Sequence, residues 1–410
     1  MTQRQVLVQR SYRHPADGRQ KDPVQKKYQS PAHFRTIPHL RSRTPHHSLL
    51  LRLRSHVIAT LTTFFAREDF VQTHTPVITS SDCEGAGEVF TVSSDSSKVS
   101  EQQPQDGKPT AVEHFFKDPK YLTVSAQLHL EALAQGVGKV WTLSPTFRAE
   151  KSDTPRHLSE FYMLEAEMTF VDHVTYVMDM AEKMLRAVAE ALIESPISEE
   201  LLQSVAVKTA GRNSEAHITD IKPAELKHRW ECMTRPNWPR ITYQEAITKL
   251  QQNVQCKDVK FTVSPTYEGG LETEHERFLA EKVGRGMPVF VTHYPRSQKP
   301  FYMSPSVTDG KDTAECFDLL VPELCELVGG SMREHRSEEL VQKMREQGLL
   351  KEGEDPESNN LQWYIDLRRY GSVPHGGFGL GFDRLICYLS GVNNIRDVVA
   401  FPRWYGRCIA

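Results

Sequence analysis

A chain of 410 residues can bury a large core and is too long for one small module. With 39% hydrophobic and 25% charged residues it reads as globular, which excludes collagen-like and disordered compositions. A net charge of −3 excludes a uniformly basic nucleic-acid coat, but not a local basic face.

The charge is uneven along the chain. Residues 1–54 hold 12 Lys/Arg against Asp17 and Asp22, leaving 38 basic and 51 acidic side chains beyond. A basic leader before an acidic body fits an RNA-facing arm or an organelle-targeting segment. Residues 11–48 are Pro-, His- and Arg-rich with little periodicity, which predicts a basic arm and linker over 1–45. Leu50, Leu53, Val57, Leu61 and Phe64 then follow one helical face, and an extended segment from Phe70 ends at Pro76. The apolar runs are too short to predict a membrane span.

Residues 92–115 are rich in Ser, Gln and Pro and predict a surface loop. A strand is expected at 121–125, a short helix at 128–134 and extended chain at 140–150. From Phe161 to Phe170 the residues alternate. Tyr162, Leu164, Ala166, Met168 and Phe170 share one face, while Phe161, Met163, Glu165, Glu167 and Thr169 share the other. The polar stretch KSDTPRHLSE (151–160) joins these strands as an antiparallel hairpin. Val174 to Leu192 carries a helical stripe. Residues 195–240 look irregular, and a small α-rich insertion is expected within about 195–285. Strands are expected at 289–293, 301–305 and 316–321, a charged helix at 337–346, and a glycine-rich strand running into a helix over 371–389. Strands outnumber crossover helices, so the predicted class is α+β, an antiparallel sheet flanked by helices, with 46–410 as one domain. The seven cysteines are odd in number and form no CxxC, so neither a disulfide framework nor a zinc site is expected. They read as core fillers in a reducing compartment.

Four clusters carry chemistry. Arg148 and Glu150, two apart on an extended segment, can grip a phosphate and a polar group on one face. Phe161 is placed to stack on a flat ring, with Arg156 and His157 across the loop. Asp318 and Glu326, near Gly329 and Gly330, suit a hard divalent cation. Gly377, Gly379 and Gly381 alternate and leave one sheet face bare before Arg384.

Their order resembles the signature motifs of class II aminoacyl-tRNA synthetases. The wording of residues 82–90 (DCEGAGEVF), 121–131 (YLTVSAQLHLE), 147–167 (FRAEKSDTPRHLSEFYMLEAE), 327–336 (LVGGSMREHR), 364–385 (YIDLRRYGSVPHGGFGLGFDRL) and 394–403 (NIRDVVAFPR) is similar to the aspartyl/asparaginyl subgroup, and within it to asparaginyl-tRNA synthetases. The resemblance implies a six- or seven-stranded antiparallel sheet and a homodimer built on the helix and strand before Pro76. It implies ATP held by Arg148 and Arg384 as catalytic residues, with Phe161 and Glu150 at adenine and Gly379 and Gly381 beneath. Arg156 and His157 would serve the outer phosphates or the tRNA end. Mg2+ would sit on Asp318 and Glu326. Glu84, Ser125 and Gln127 match positions receiving the α-ammonium group, and Arg333 the one reading the side-chain carbonyl.

Aspartyl enzymes carry a lysine where this chain has Leu130, so asparagine and tRNA(Asn) are the expected substrates. The alternatives are an aspartyl-tRNA synthetase, or a free-standing asparagine synthetase-like paralogue acting without tRNA. Asp69 and Cys325 stand where the family usually has glycine. The family's N-terminal OB-fold barrel needs far more chain than precedes the matching linker at residue 22, so only a remnant is expected. The wording of 319–336 and the basic start are similar to fungal mitochondrial enzymes, which implies the mitochondrial matrix, with the cytoplasm as alternative.

Overall fold

The computed structural model describes residues 24, 29–80, 89–93, 114–210, 221–351, 353, 355 and 359–409. An eight-stranded sheet organises the molecule. Its strands are β1 (Val71–Gln72), β5 (Lys139–Phe147), β6 (Glu160–Thr169), β13 (His375–Gly381), β12 (Cys325–Met332), β11 (Cys316–Val321), β8 (Val289–Thr292) and β7 (Arg240–Thr242), in that spatial order. The six from β5 to β8 are antiparallel, whereas β1 and β7 pair in parallel at the two edges. The sheet is therefore one strand wider than expected and mixed at its margins. A three-stranded sheet of β2 (Ile78–Thr79), β3 (Thr91–Val92) and β4 (Lys120–Leu122) and a hairpin of β9 (Pro305–Thr308) and β10 (Lys311–Ala314) lie beside it.

Leu164, Ala166 and Met168 of β6 meet the helices Pro45–Arg67, Val174–Glu194 and Phe382–Ser390 in the main core. Thr44 caps the first of these, its Oγ1 accepting from the His47 amide, and Phe65 stacks on Trp141 of β5 at 4.6 Å. That helix is long and apolar enough to cross a bilayer by length and composition. Its stripe of Leu50, Leu53, Val57, Leu61 and Phe65 is instead buried in protein.

Several expectations are corrected. The part of the arm that is described is folded. Helices Pro31–Thr36, Pro38–Arg41 and Pro45–Arg67 each begin on a proline, which suits the first turn because no amide partner is lost there. Arg35 pairs with Asp397 at 2.8 Å, and buried Arg41 donates to the carbonyls of Arg396 and Ala400, so these two cations are structural. Residues 195–240 are helical over Pro196–Ala210 and Pro223–Thr234. Trp230 of the latter donates to the Leu389 carbonyl inside the main core, and β7 joins the sheet edge. Of the expected 301–305 strand there remain one bridge between Met303 and Arg333 and Pro305, which opens β9. Phe170, assigned to the buried face, lies past the end of β6 at φ 60° and is 81% exposed. Cys256 and Cys408 are exposed rather than core fillers. The 92–115 loop falls mostly outside the described residues.

Candidate active site

The sheet face opposite the main core is open because β13 is glycine-rich and sits between β6 and β12. Two adjoining cavities lie on it, of about 140 and 290 Å3, and they share Arg148, Met163, Glu326 and Gly379 in their walls. Together they collect every site residue expected from sequence except Glu84, which lies outside the described residues, and Gly377, whose face is filled by Glu167 rather than left bare.

The smaller cavity is lined by Arg148, Glu150, Arg156, His157, Phe161, Gly379, Gly381 and Arg384. Strand β5 ends at Phe147, so Arg148 and Glu150 leave from the loop and do not stand side by side on a strand. One more ladder bond, from the Arg148 amide to the Ser159 carbonyl, holds the start of that loop. The Arg148 guanidinium lies 5.6 Å from the Phe161 ring centroid, and His157 approaches Glu150 at 3.4 Å. Arg156 donates to the Glu323 carbonyl at 2.8 Å, and Arg384 to the Glu326 carbonyl at 2.9 Å. Three arginines and one aromatic ring in the wall of a single cavity suit a polyphosphate carrying a flat base.

The larger cavity holds Ser125, Gln127, Leu130 and Arg333. Arg333 is 3% exposed and donates to the Glu167 carboxylate at 3.0 Å, while Glu131 lies 4.0 Å away. Burial works against the Arg333 charge, but Glu167 and Glu131 outweigh it and hold the guanidinium protonated, while burial, aided by Glu131, pushes the Glu167 carboxyl up against the pull of Arg333. Burial likewise opposes ionisation of Glu131. The Arg368 guanidinium at 2.6 Å, with His375 and Arg333, reverses this and keeps its carboxyl well below the usual range. Gln127 donates to Glu131 at 3.2 Å. The Ser125 hydroxyl donates to Glu165, which also accepts the Ala126 amide at 2.9 Å, so Ser125 braces another carboxylate in the wall. Glu167 and Glu165 were legible only as carboxylates on the second face of β6. A lone sequence does not reveal that Glu167 would meet an arginine 166 residues away.

Asp318 and Glu326 meet through an irregularity. Asp318 pairs with Gly329 across β11–β12, and a regular strand would turn Glu326, three residues earlier, to the other face. A register shift at Leu319/Leu320 inserts one residue and restores the shared face. A Cβ built on Gly329 would stand 3.2 Å from Glu326 Oε1 and 3.6 Å from Asp318 Oδ1, which measures their convergence. Two carboxylates open to one cavity fit a divalent cation. Lys299, absent from the sequence reading, donates to Asp318 at 2.8 Å. Its burial disfavours charge, but Asp318 holds the ammonium protonated. Cys325, which stands where the family usually has glycine, is buried at φ 63°, in the left-handed region that favours glycine.

Residues 33–405 match the family described as tRNA synthetases class II (D, K and N). The chain is 44% identical over 382 residues to the mitochondrial asparagine–tRNA ligase of Saccharomyces cerevisiae, covering 93% of this chain and 73% of that protein. It is 40% identical to the mitochondrial asparagine–tRNA ligase of Schizosaccharomyces pombe, covering 95% and 76%. Among solved structures it resembles the asparaginyl-tRNA synthetase of Pyrococcus horikoshii complexed with asparaginyl-adenylate. That likeness has a TM-score of 0.74 and 30% identity, over 93% of this chain and 74% of that one.

Proposed function

From the class II tRNA synthetases of the D, K and N group, the family to which this chain belongs, we infer an asparagine–tRNA ligase that activates asparagine with ATP and transfers it to tRNA(Asn). The observation that carries the choice of amino acid is the Arg333–Glu167 pair in the wall of the larger cavity. A carboxamide offers its oxygen to Arg333 and its NH2 to Glu167. A guest carboxylate would face Glu167, with Arg333 already paired to that residue, Lys299 already paired to Asp318 and the uncharged Leu130 in the wall, so its desolvation is poorly compensated.

In this reading ATP lies on the glycine strand with adenine against Phe161. Arg148, at the junction of the cavities, faces the α-phosphate, and Arg156, His157 and Arg384 serve the outer phosphates. Glu150, in the same wall, contacts adenine. Gln127, Ser125 and the carboxylate it braces receive the α-ammonium group. The asparagine carboxylate attacks the α-phosphorus in line, the bond to the β-phosphate oxygen breaks, and pyrophosphate leaves. The terminal adenosine hydroxyl of the tRNA then takes the aminoacyl group and AMP leaves. Asp318 and Glu326 would hold Mg2+, which offsets phosphate charge when bound. The long helix, with Leu51 and Ile58 exposed, and edge strand β1, with Val71 exposed, support assembly as a homodimer. The fungal relatives named mitochondrial and the basic leader support a mitochondrial location.

The test is ATP–pyrophosphate exchange. Asparagine should support it and aspartate should not. Glu167→Gln should lower kcat/KM for asparagine by about two orders of magnitude or more, because buried Arg333 then loses its nearest carboxylate and keeps only Glu131 at 4.0 Å. Exchange with aspartate alone would refute the assignment.

A further inference from the structure

One short turn holds two non-glycine residues in left-handed backbone, Glu323 at φ 69° and Cys325 at φ 63°. It joins β11 to β12 and leads directly into Glu326. Such backbone is disfavoured for L-residues and persists only where the surroundings over-determine it. Three contacts do so. Arg229 Nη2 donates to Glu323 Oε1 at 2.7 Å, Arg156 Nη2 donates to the Glu323 carbonyl at 2.8 Å, and the Cys325 thiol donates to the Thr273 carbonyl at 3.5 Å. Arg229 is a fixed post. It is buried, its guanidinium lies 4.5 Å from the Tyr388 ring centroid, and its Nη1 donates to the Tyr388 carbonyl at 2.8 Å.

We propose that the Arg229–Glu323 pair is a positioning device for the nucleotide site, pinning the β11–β12 turn and thereby setting Arg156 toward the outer phosphates of ATP and the Glu326 carboxylate beside Asp318. Neither residue of the pair lines the two cavities. A half-exposed ion pair on an unstrained surface would do little. Here one partner is buried, and the other sits in disfavoured backbone whose own carbonyl anchors Arg156. The consequence is selective. The pair bears on phosphates, through Arg156 and Glu326, and leaves the adenine contact at Phe161 and the Arg333 pocket alone. The inference rests on the nucleotide site proposed above.

The test uses Glu323→Ala and Glu323→Gly in the whole chain, with Mg–ATP and AMP binding followed by calorimetry. Both variants should bind Mg–ATP about five-fold more weakly and AMP as wild type does. KM for ATP in exchange should rise alike, with KM for asparagine unchanged. Glu323→Gln, which can still accept from Arg229, should recover part of the loss. Unchanged Mg–ATP affinity in Glu323→Ala overturns the proposal, and so does a parallel loss of AMP binding, which marks a general structural defect. Glu323→Gly accepts φ 69° without strain, so wild-type affinity in that variant would show that strain relief suffices and the pair is dispensable. A wild-type chain that binds Mg–ATP but fails to exchange with asparagine would strike the functional reading and leave this one standing. Failure to bind Mg–ATP at all would sink both.

Discussion

Asp69 and Cys325 interrupt the sequence resemblance at two places, and both hold left-handed backbone, at φ 61° and 63°. The departures therefore fall where a side chain strains the backbone, and at Cys325 the sulfur also takes up contacts with Arg156 and Thr273. Asp69 is exposed, so relief of its strain is measurable without lost packing. Asp69→Gly should raise the unfolding free energy by about 0.5–1 kcal/mol, read from urea midpoints at constant m. A second consequence concerns Glu276. Burial, and then Glu326 and Asp318, push its carboxyl up to about 7 from 4.5. The unfolded chain releases this proton near pH 4.5, while the folded chain keeps it until about pH 7. The unfolded state thus binds fewer protons across that window, and the contribution to stability falls as pH rises through it. Glu276→Gln should remove that slope and leave the variant more stable than wild type at pH 8, by on the order of 2–3 kcal/mol, with little difference below pH 4.5. Unfolding free energies measured across this range in a chelating buffer would check it. The arginines, Phe161 and the glycines were legible in the sequence because their types and order carry chemistry. Lys299 and Glu276 were not, since each acquires its role from carboxylates distant in the chain.

Strand β13 shows why glycine alternation matters. A Cβ on Gly377 would stand 2.0 Å from Glu167 Oε2 and 2.2 Å from the Ala166 carbonyl, so this glycine makes room for the carboxylate that pairs with Arg333. Gly379 is less crowded, its nearest neighbour being Met163 at 3.4 Å. Gly377→Ala should abolish asparagine-dependent exchange and destabilise the fold by about 2 kcal/mol or more, whereas Gly379→Ala should fold normally and weaken ATP binding. Thermal unfolding and exchange on the two variants would separate these outcomes. The glycine pattern in β13 and the hairpin of β5 and β6 could be read from period and loop chemistry. The β11–β12 bulge could not, because no residue type announces a one-residue register shift, yet it decides which way Glu326 points.

At the scale of the whole molecule, the described part of the basic start is tied to the opposite end of the chain. Arg35 and Arg41 are spent on Asp397 and on backbone carbonyls near residues 396–400, so the arm binds the far end of the chain. The segment expected as an insertion shares its buried tryptophans, Trp230 and Trp238, with the main core. The long helix buries one stripe and leaves Leu51 and Ile58 exposed on its other side, with Val71 and Ile78 exposed beyond it. If these cover one another in a second copy, sedimentation equilibrium should return twice the 46.8 kDa of the chain, and Ile58→Glu with Val71→Glu should return one chain mass and reduced exchange.

The sequence alone marked most of the residues that gather at the two cavities, the antiparallel character of the middle of the sheet and the order of the motifs. Those depend on residue type and local period, which are written along the chain. Tertiary structure alone decided that Glu167 faces Arg333, that a bulge brings Glu326 round to Asp318, and that a proline-rich start folds back as two short helices ahead of the long one. Each of these is a meeting of residues far apart in sequence, or a shift of register, and local propensity carries no record of the partner that a buried charge requires.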